Sequence, residues 1–182
     1  MYLETDRVIL RRFREDDFAA FCAYAMDAEI CRMTGWKTMT SPEDARKIFD
    51  PMLSAETTYA MVLKDSGTVV GNFSAALPHP YLQHHPQLQG KSGRALSVVL
   101  SKECQHTGLA TEVGRAIIDH LFRVEKVDYI NAGYFSYNLP SKGLQEKLGF
   151  RFLGTHNFHR GEEEVHVIEN VIWKEQYFDP QP

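Results

Sequence analysis

Apolar positions change their period along the chain, and each change marks an element. Residues 7–13 are rich in β-branched and aromatic side chains and predict a strand. Phe18, Phe21, Cys22 and Ala25 then recur at helical spacing. Ser41-Pro42-Glu43-Asp44 predicts a helix start: Ser41 is the N-cap, Pro42 sits in the first turn and Asp44 closes a capping box. Ala45, Ile48, Phe49 and Met52 supply that helix with its apolar face. Residues 59–64 and 68–76, joined by Asp65-Ser66-Gly67, predict a hairpin. The polar stretch 78–93, rich in Pro and His, predicts a loop. Residues 95–100 predict a buried strand. Leu109, Val113, Ala116, Ile117, His120, Leu121 and Val124 form the clearest helical stripe of the chain. A strand follows at 127–135. A helix from Asn138 to Leu148 is capped by Asn138 and stopped by Gly149. Two closing strands, at 150–158 and 164–174, flank a turn at Arg160-Gly161.

The predicted order is β-α-α-β-β-β-α-β-α-β-β. Strand–helix alternation in the second half implies parallel pairing there, and hairpins elsewhere imply antiparallel pairing. The expected fold class is α/β (α+β): a mixed, mostly antiparallel central sheet of about seven strands with helices on both faces. Neither a fixed-period repeat nor a long linker interrupts it, so one domain, 1–182, is expected.

Composition narrows the classes. Hydrophobic residues make up 43% and charged residues 24%, the balance of a globular protein. No apolar run reaches the roughly 18 residues of a membrane span, and no membrane partner is expected. The opening MYLETDRVIL mixes acids and bases early, unlike a signal peptide. Cys22, Cys31 and Cys104 are odd in number and lack metal-ligand spacing, which fits a reducing, cytoplasmic setting without a bound metal. The formal charge of −4 disfavours nucleic acid and suits a cationic acceptor slightly better.

The most informative segment is 96–112, where a buried strand ends, a short polar loop turns and a strong helix begins. The first amides of a helix have no acceptor within it and sit at the positive end of its dipole. Such a join is a natural anion site. Gly108 lets the backbone approach a phosphate, and Ala110 keeps the approach clear of a bulky side chain. The segment is not a P-loop, since no Gly-Lys-Ser/Thr follows, and it lacks the three glycines of a dinucleotide fingerprint.

Gln105-x-x-Gly108-x-Ala110 resembles the Gln/Arg-x-x-Gly-x-Gly/Ala motif of the GNAT acyltransferase superfamily. Gly108-Leu109-Ala110-Thr111-Glu112 is similar to the run found in the branch that acetylates ribosomal-protein N-termini. A second block follows, Asn138-x-x-Ser141 and then Glu146-Lys147-Leu148-Gly149-Phe150, and the opening Thr5-Asp6-Arg7 resembles the same branch. The resemblance implies a splayed parallel strand pair and transfer of an acetyl group from acetyl-CoA to a primary amine. The acceptor would be a protein N-terminus or a small molecule. By that resemblance, amides of Gln105, His106, Thr107, Gly108, Leu109, Ala110 and Thr111 hold the CoA pyrophosphate. Val98, Val99 and Leu100 line the pantetheine arm, across from residues 132–134. Asn138 orients the pantetheine, and Ser141 is the proton donor to the departing thiolate. As bare residues, Asn138 and Ser141 read equally well as an N-cap and a first-turn serine.

Two positions depart from the family pattern. Gln145 stands where many members carry an acidic Tyr, and Ala95 stands where the related branch often carries a basic Glu. The general base is unassigned. Glu103 is close in sequence but lies in the loop, whereas His166 and Glu169 on the closing strand could reach an acceptor or simply decorate the surface. These departures keep a second class open, a non-catalytic acyl-CoA sensor. His79, His84 and His85 fit no metal-ligand helix face and read first as a flexible solvated loop, with a wall over the acceptor as its further role. Met33, Trp36 and Met39 read as acceptor wall or core filler. Glu162-Glu163-Glu164 reads as a solvated turn, and Cys104 as packing. A homodimer stays open.

Overall fold

The computed structural model describes residues 2–160 and 163–179. Its contacts divide into two compact units, residues 1–74 with 98–113, and residues 75–97 with 114–182. The strands are mostly antiparallel with one parallel pair, and helices cover both faces, as the patterning predicts. Among the described residues there are eight strands, one more than expected, because Leu3–Glu4 adds a two-residue β1.

In the first unit, β2 (Val8–Arg11) pairs antiparallel with β3 (Thr58–Leu63), and β3 with β4 (Val69–Ala76). The hairpin turn is the predicted one: Gly67 N–H donates to Leu63 O at 2.9 Å, with Gly67 at φ 69°. Helix α1 (Phe18–Ala25) and helix α3 (Pro42–Ser54) bring rings together. Phe13, Phe21 and Phe49 meet edge-on or tilted at 5.2–6.4 Å. Burying each such ring contributes about 1.5–3 kcal/mol. Ser41 caps α3 by accepting from Asp44 N–H at 3.3 Å. The Asp44 carboxylate reaches Thr40 N–H at 3.4 Å and so grips one residue earlier than the expected capping box. Helix α2 (Ala28–Thr34) was not expected. Asp27 caps it twice, accepting from Glu29 and Ile30 N–H, and Gly35 ends it at φ 77°. With only seven residues it shows too little of an apolar stripe to be read from periodicity.

Strand β5 (Gly93–Leu100) carries the chain from the second unit into the first. In the second unit its start pairs parallel with β6 (Tyr129–Phe135): Gly93 with Tyr129, Arg94 with Ile130, Ala95 with Asn131. The register stops there, although β5 continues through Leu96 and Ser97 and β6 continues to Phe135. Along its whole length, Tyr129–Phe135, β6 pairs antiparallel with β8 (Glu163–Trp173). β7 (Arg151–Arg160) pairs antiparallel with β8. Of the second-half strands, β5 and β6 pair parallel, and the strand after α5 joins an antiparallel hairpin instead. The predicted turn at Arg160-Gly161 lies partly outside the described residues, as does Glu162.

Helix α4 (Leu109–His120) follows the predicted stripe, then widens into one π turn, Leu121–Glu125, ending at Lys126 with φ 57°. The extra residue in that turn shifts the helical phase. Leu121 stays buried, but Val124 emerges 64% exposed and leaves the predicted apolar face. Helix α5 (Leu139–Leu148) ends at Gly149, φ 87°, as expected. The terminal α6 (Lys174–Phe178) begins where a strand was predicted to end. The 78–93 loop is more ordered than its composition suggests. It carries a 3₁₀ turn, Pro80–His84, and buries Leu82 and Leu88 against Tyr129 and Val171. Among the described residues no helix is long and apolar enough to cross a membrane.

Candidate functional site

The first unit holds the predicted anion loop. Val98, Val99 and Leu100 finish β5, and Ser101 N–H donates to Val70 O at 2.8 Å. A 3₁₀ turn, Lys102–Cys104, follows. Lys102 is pinned to Asp27 and Glu29 at 2.9 and 3.1 Å, anchoring the loop to the α2 start. Gln105 folds back so that its Nε2 donates to Leu100 O at 3.0 Å, closing the loop on the strand it left. His106 adopts φ 60° and Gly108 φ 85°. A left-handed residue of this kind costs a side-chain-bearing residue about 1–2 kcal/mol, which is why glycine suits position 108. The first bond of α4 runs from Glu112 N–H to Gly108 O at 3.0 Å. The amides of Leu109, Ala110 and Thr111 therefore precede the helical ladder and point outward from its positive end.

Arg7 braces this loop. Its Nε bonds Glu112 Oε2 at 2.7 Å, its backbone N–H bonds Glu112 Oε1 at 3.0 Å, and its Nη1 bonds Thr107 O at 3.0 Å. Burial alone would raise the Glu112 pKa, but hydrogen bonds from Thr5 and Arg7 outweigh it and hold the carboxyl below its ordinary range. Its charge is thus tied to Arg7. Cys104 is half-buried and Glu103 exposed in the 3₁₀ turn. Met39 is buried, and Trp36 packs on Phe21 at 6.0 Å, so these two residues fill core.

The second unit holds Asn138 and Ser141. Asn138 Oδ1 accepts from Ser141 N–H at 3.0 Å, a true N-cap. Gln145, one turn on, is buried. Its carbonyl Oε1 accepts from Asn170 Nδ2 at 2.9 Å, which turns its Nε2 toward Ser141 Oγ at 3.3 Å. Ser141 Oγ is thereby an acceptor in that bond, and its own hydrogen is left to donate elsewhere.

Next to Asn170 on β8 stands Glu169. Successive strand residues face opposite sides of a sheet. Asn170 faces α5, and Glu169 faces the 3₁₀ turn of the 78–93 loop. Glu169 is 7% exposed. Its Oε1 accepts from Tyr81 Oη, and its Oε2 accepts from Asn131 Nδ2 at 3.3 Å. His156 Nδ1 lies 4.0 Å from Oε1. The Tyr81 ring stacks with His156 at 4.4 Å and with His79 at 4.6 Å. Burial, then the neighbouring Glu169, pushes the Tyr81 hydroxyl up, so it stays a donor. Burial lowers His156 in spite of Glu169, so it is neutral near pH 7. Gly133 lies beneath the carboxylate: a Cβ there would meet Glu169 Oε1 at 2.6 Å.

The sequence offers Glu169 as one of three candidate bases but discloses nothing of Tyr81, Asn131 and His156 around it. One signal was present. Val165, Val167 and Val171 alternate along the buried side of β8, and Glu169 interrupts their run. His166 is exposed and bonded to Asn157 at 3.0 Å, whereas the hydrogen bonds to Glu169 come from Tyr81 and Asn131. Of the loop histidines, only His79 joins the Tyr81 stack. Among the described residues no group of three or more His, Cys, Asp or Glu is placed to hold a metal ion.

The family model described as "Acetyltransferase (GNAT) domain" matches residues 7–151, running through parts of both units. The chain is 22% identical over 152 residues to the uncharacterized N-acetyltransferase YnaD of Bacillus subtilis, covering 83% of each. It shares its fold with the GNAT-family acetyltransferase of Bacillus anthracis (TM-score 0.84, 21% identity, 96% of this chain and 99% of that one). Spermidine N-acetyltransferase of Vibrio cholerae, solved with CoA and spermine, is also similar (TM-score 0.71, 15% identity, 94% and 98%). With the family match spanning most of its length, the chain belongs to the GNAT acetyltransferases, enzymes of acetyl-CoA-dependent acetyl transfer.

Proposed function

We propose that the protein moves an acetyl group from acetyl-CoA to a primary amine, as a cytoplasmic enzyme related to the ribosomal-protein N-terminal acetyltransferases. The observation that carries this reading is the anion loop. It closes on itself through Gln105, turns left-handed at Gly108 and presents the amides of 109–111 ahead of the helical ladder. Those amides and Gln105–Gly108 would hold the CoA diphosphate, and the backbone of Val98–Leu100 the pantetheine arm. Asn138 would orient the thioester end.

In the reaction, the lone pair of a neutral amine attacks the thioester carbonyl carbon, forming C–N and moving the π electrons to oxygen. Collapse restores C=O and breaks C–S, leaving the pair on sulfur. The Ser141 hydroxyl gives its proton to the thiolate and is reprotonated, through water, by the proton the new amide nitrogen sheds. Its bond from Gln145 supports this role, because that bond leaves the hydroxyl hydrogen available. Holding the reactants together supplies several kcal/mol of the acceleration.

A second reading, an acyl-CoA sensor, is favoured by Ala95 and Gln145, neither of which can supply the family's usual acid or base. One experiment separates the two: thiol release from acetyl-CoA with a panel of primary amines, beside the melting shift produced by CoA. Release with any amine establishes the transferase and excludes the sensor. A melting rise without release supports the sensor. No melting shift overturns CoA binding altogether, since a ligand of the native state must stabilise it.

A further inference from the structure

Glu169 is a buried carboxylate without a cation. Among the described residues it has no Lys or Arg partner, and its compensation comes from two neutral donors, Tyr81 and Asn131. A buried charge held this way is costly unless something positive completes it. Two further atoms beside it are buried and, among the described residues, without a hydrogen-bond partner: Asn131 Oδ1 and His156 Nδ1. Asn131 is only 3% exposed. The cluster therefore gathers a carboxylate and an amide oxygen, both acceptors of N–H bonds, and walls them with the Tyr81 and His156 rings. Acceptor oxygens beside aromatic faces are the chemistry that recognises an ammonium group.

Position agrees. The carboxylate lies over Gly133, two residues past the last β5–β6 pair, Ala95 with Asn131. Glycine at 133 leaves the space that a Cβ would deny the carboxylate. On the other face of the same strands, Asn170 leads through Gln145 to Ser141. The two hydrogen-bonded clusters thus lie on opposite faces of β8.

Resting on the acetyl-transfer reading, we propose that Glu169 receives the protonated amine of the acceptor, with Asn131 Oδ1 and the Tyr81–His156 rings as further contacts, and serves as the missing base. One N–H bond of the ammonium breaks and its electron pair stays on nitrogen as the attacking lone pair. The proton bonds to a Glu169 oxygen and passes to solvent when product leaves. The substrate class is a cationic primary amine, and Glu169 is a catalytic residue because it touches the reacting nitrogen.

The test compares wild type, Glu169→Gln and Glu169→Asp on two kinds of acceptor, primary alkylamines that are cationic at pH 7 and weakly basic aryl amines that are already neutral. Glu169→Gln should lower kcat/KM for alkylamines by about 100-fold or more, within the range of a general base. The loss on neutral amines should be at least tenfold smaller, and the CoA melting shift should be unchanged. Glu169→Asp withdraws the carboxylate by one methylene and should show the same selectivity at about tenfold loss; it carries the test if the Gln variant does not fold. Equal losses on both amine classes, or activity within about threefold of wild type, would overturn the assignment and leave Glu169 a structural plug for Tyr81. Failure of wild type itself to acetylate any amine overturns the underlying transferase reading instead.

Discussion

Gln145 is held at both ends, accepting from Asn170 at 2.9 Å and donating to Ser141 Oγ at 3.3 Å. The first bond decides which way the amide faces, and the second decides where the serine hydrogen can go. Gln145 thereby orients the hydroxyl that the proposed mechanism uses as its proton donor.

Ser141→Ala should lower kcat by about 100-fold, the lower end expected of a general acid, while the CoA melting shift persists. Steady-state kinetics beside thermal melting checks this. A kcat within a fewfold of wild type would return Ser141 to the status of an ordinary first-turn residue.

Gly108→Ala places a Cβ on a residue at φ 85°. The new atom meets only Arg7 Nη2, at 3.6 Å, so the cost is conformational, not steric. A loss of about 1–2 kcal/mol is expected, read as a lower urea midpoint at constant m. CoA affinity should fall with it.

Arg7→Ala frees the Glu112 carboxylate beside the helix start and removes the bond to Thr107 O. Arg7 is 48% exposed, so the stability cost should stay near about 1 kcal/mol. The larger effect, about three- to tenfold, should fall on the CoA dissociation constant measured by calorimetry, because an anion would then share the site with an untied carboxylate.

Asp17 is buried with Arg11, two hydrogen bonds at 2.7 and 2.8 Å joining them. Burial pushes its pKa up, but the Arg11 bonds and the Arg14 N–H bring it below the ordinary value. A depressed folded pKa means the carboxylate's contribution is fully present above the unfolded value, roughly 3.9. It is lost as pH falls through the folded one. Asp17→Asn should cost about 2 kcal/mol at pH 7, less than the roughly 3–5 kcal/mol of a fully buried broken pair. It should also flatten the acid limb of a stability-versus-pH curve taken by urea melts.

What the sequence disclosed was local. The Ser41 and Asn138 caps, the Gly67 turn, the Gly108 loop and the Gly149 stop each lie within a few residues of the groups they bond, so spacing alone reveals them. What it concealed was long-range. Tyr81 is 88 residues from Glu169, and Asn131 is 38. No local pattern records that a Pro-rich loop, read as solvated, folds down to bury two leucines and deliver a tyrosine to a carboxylate. Val124 shows the converse. Its stripe position was correct for an α-helix, and the π turn moved it.

The pleat of β8 makes residue counting itself consequential. Glu169 and Asn170 differ by one backbone step, and that step decides which of them meets Tyr81 and which meets Gln145. Deleting one residue between Val167 and Glu169 would exchange their destinations while leaving composition nearly untouched. Inside β8 an odd insertion or deletion would part Glu169 from Tyr81 and Asn170 from Gln145 in a single step.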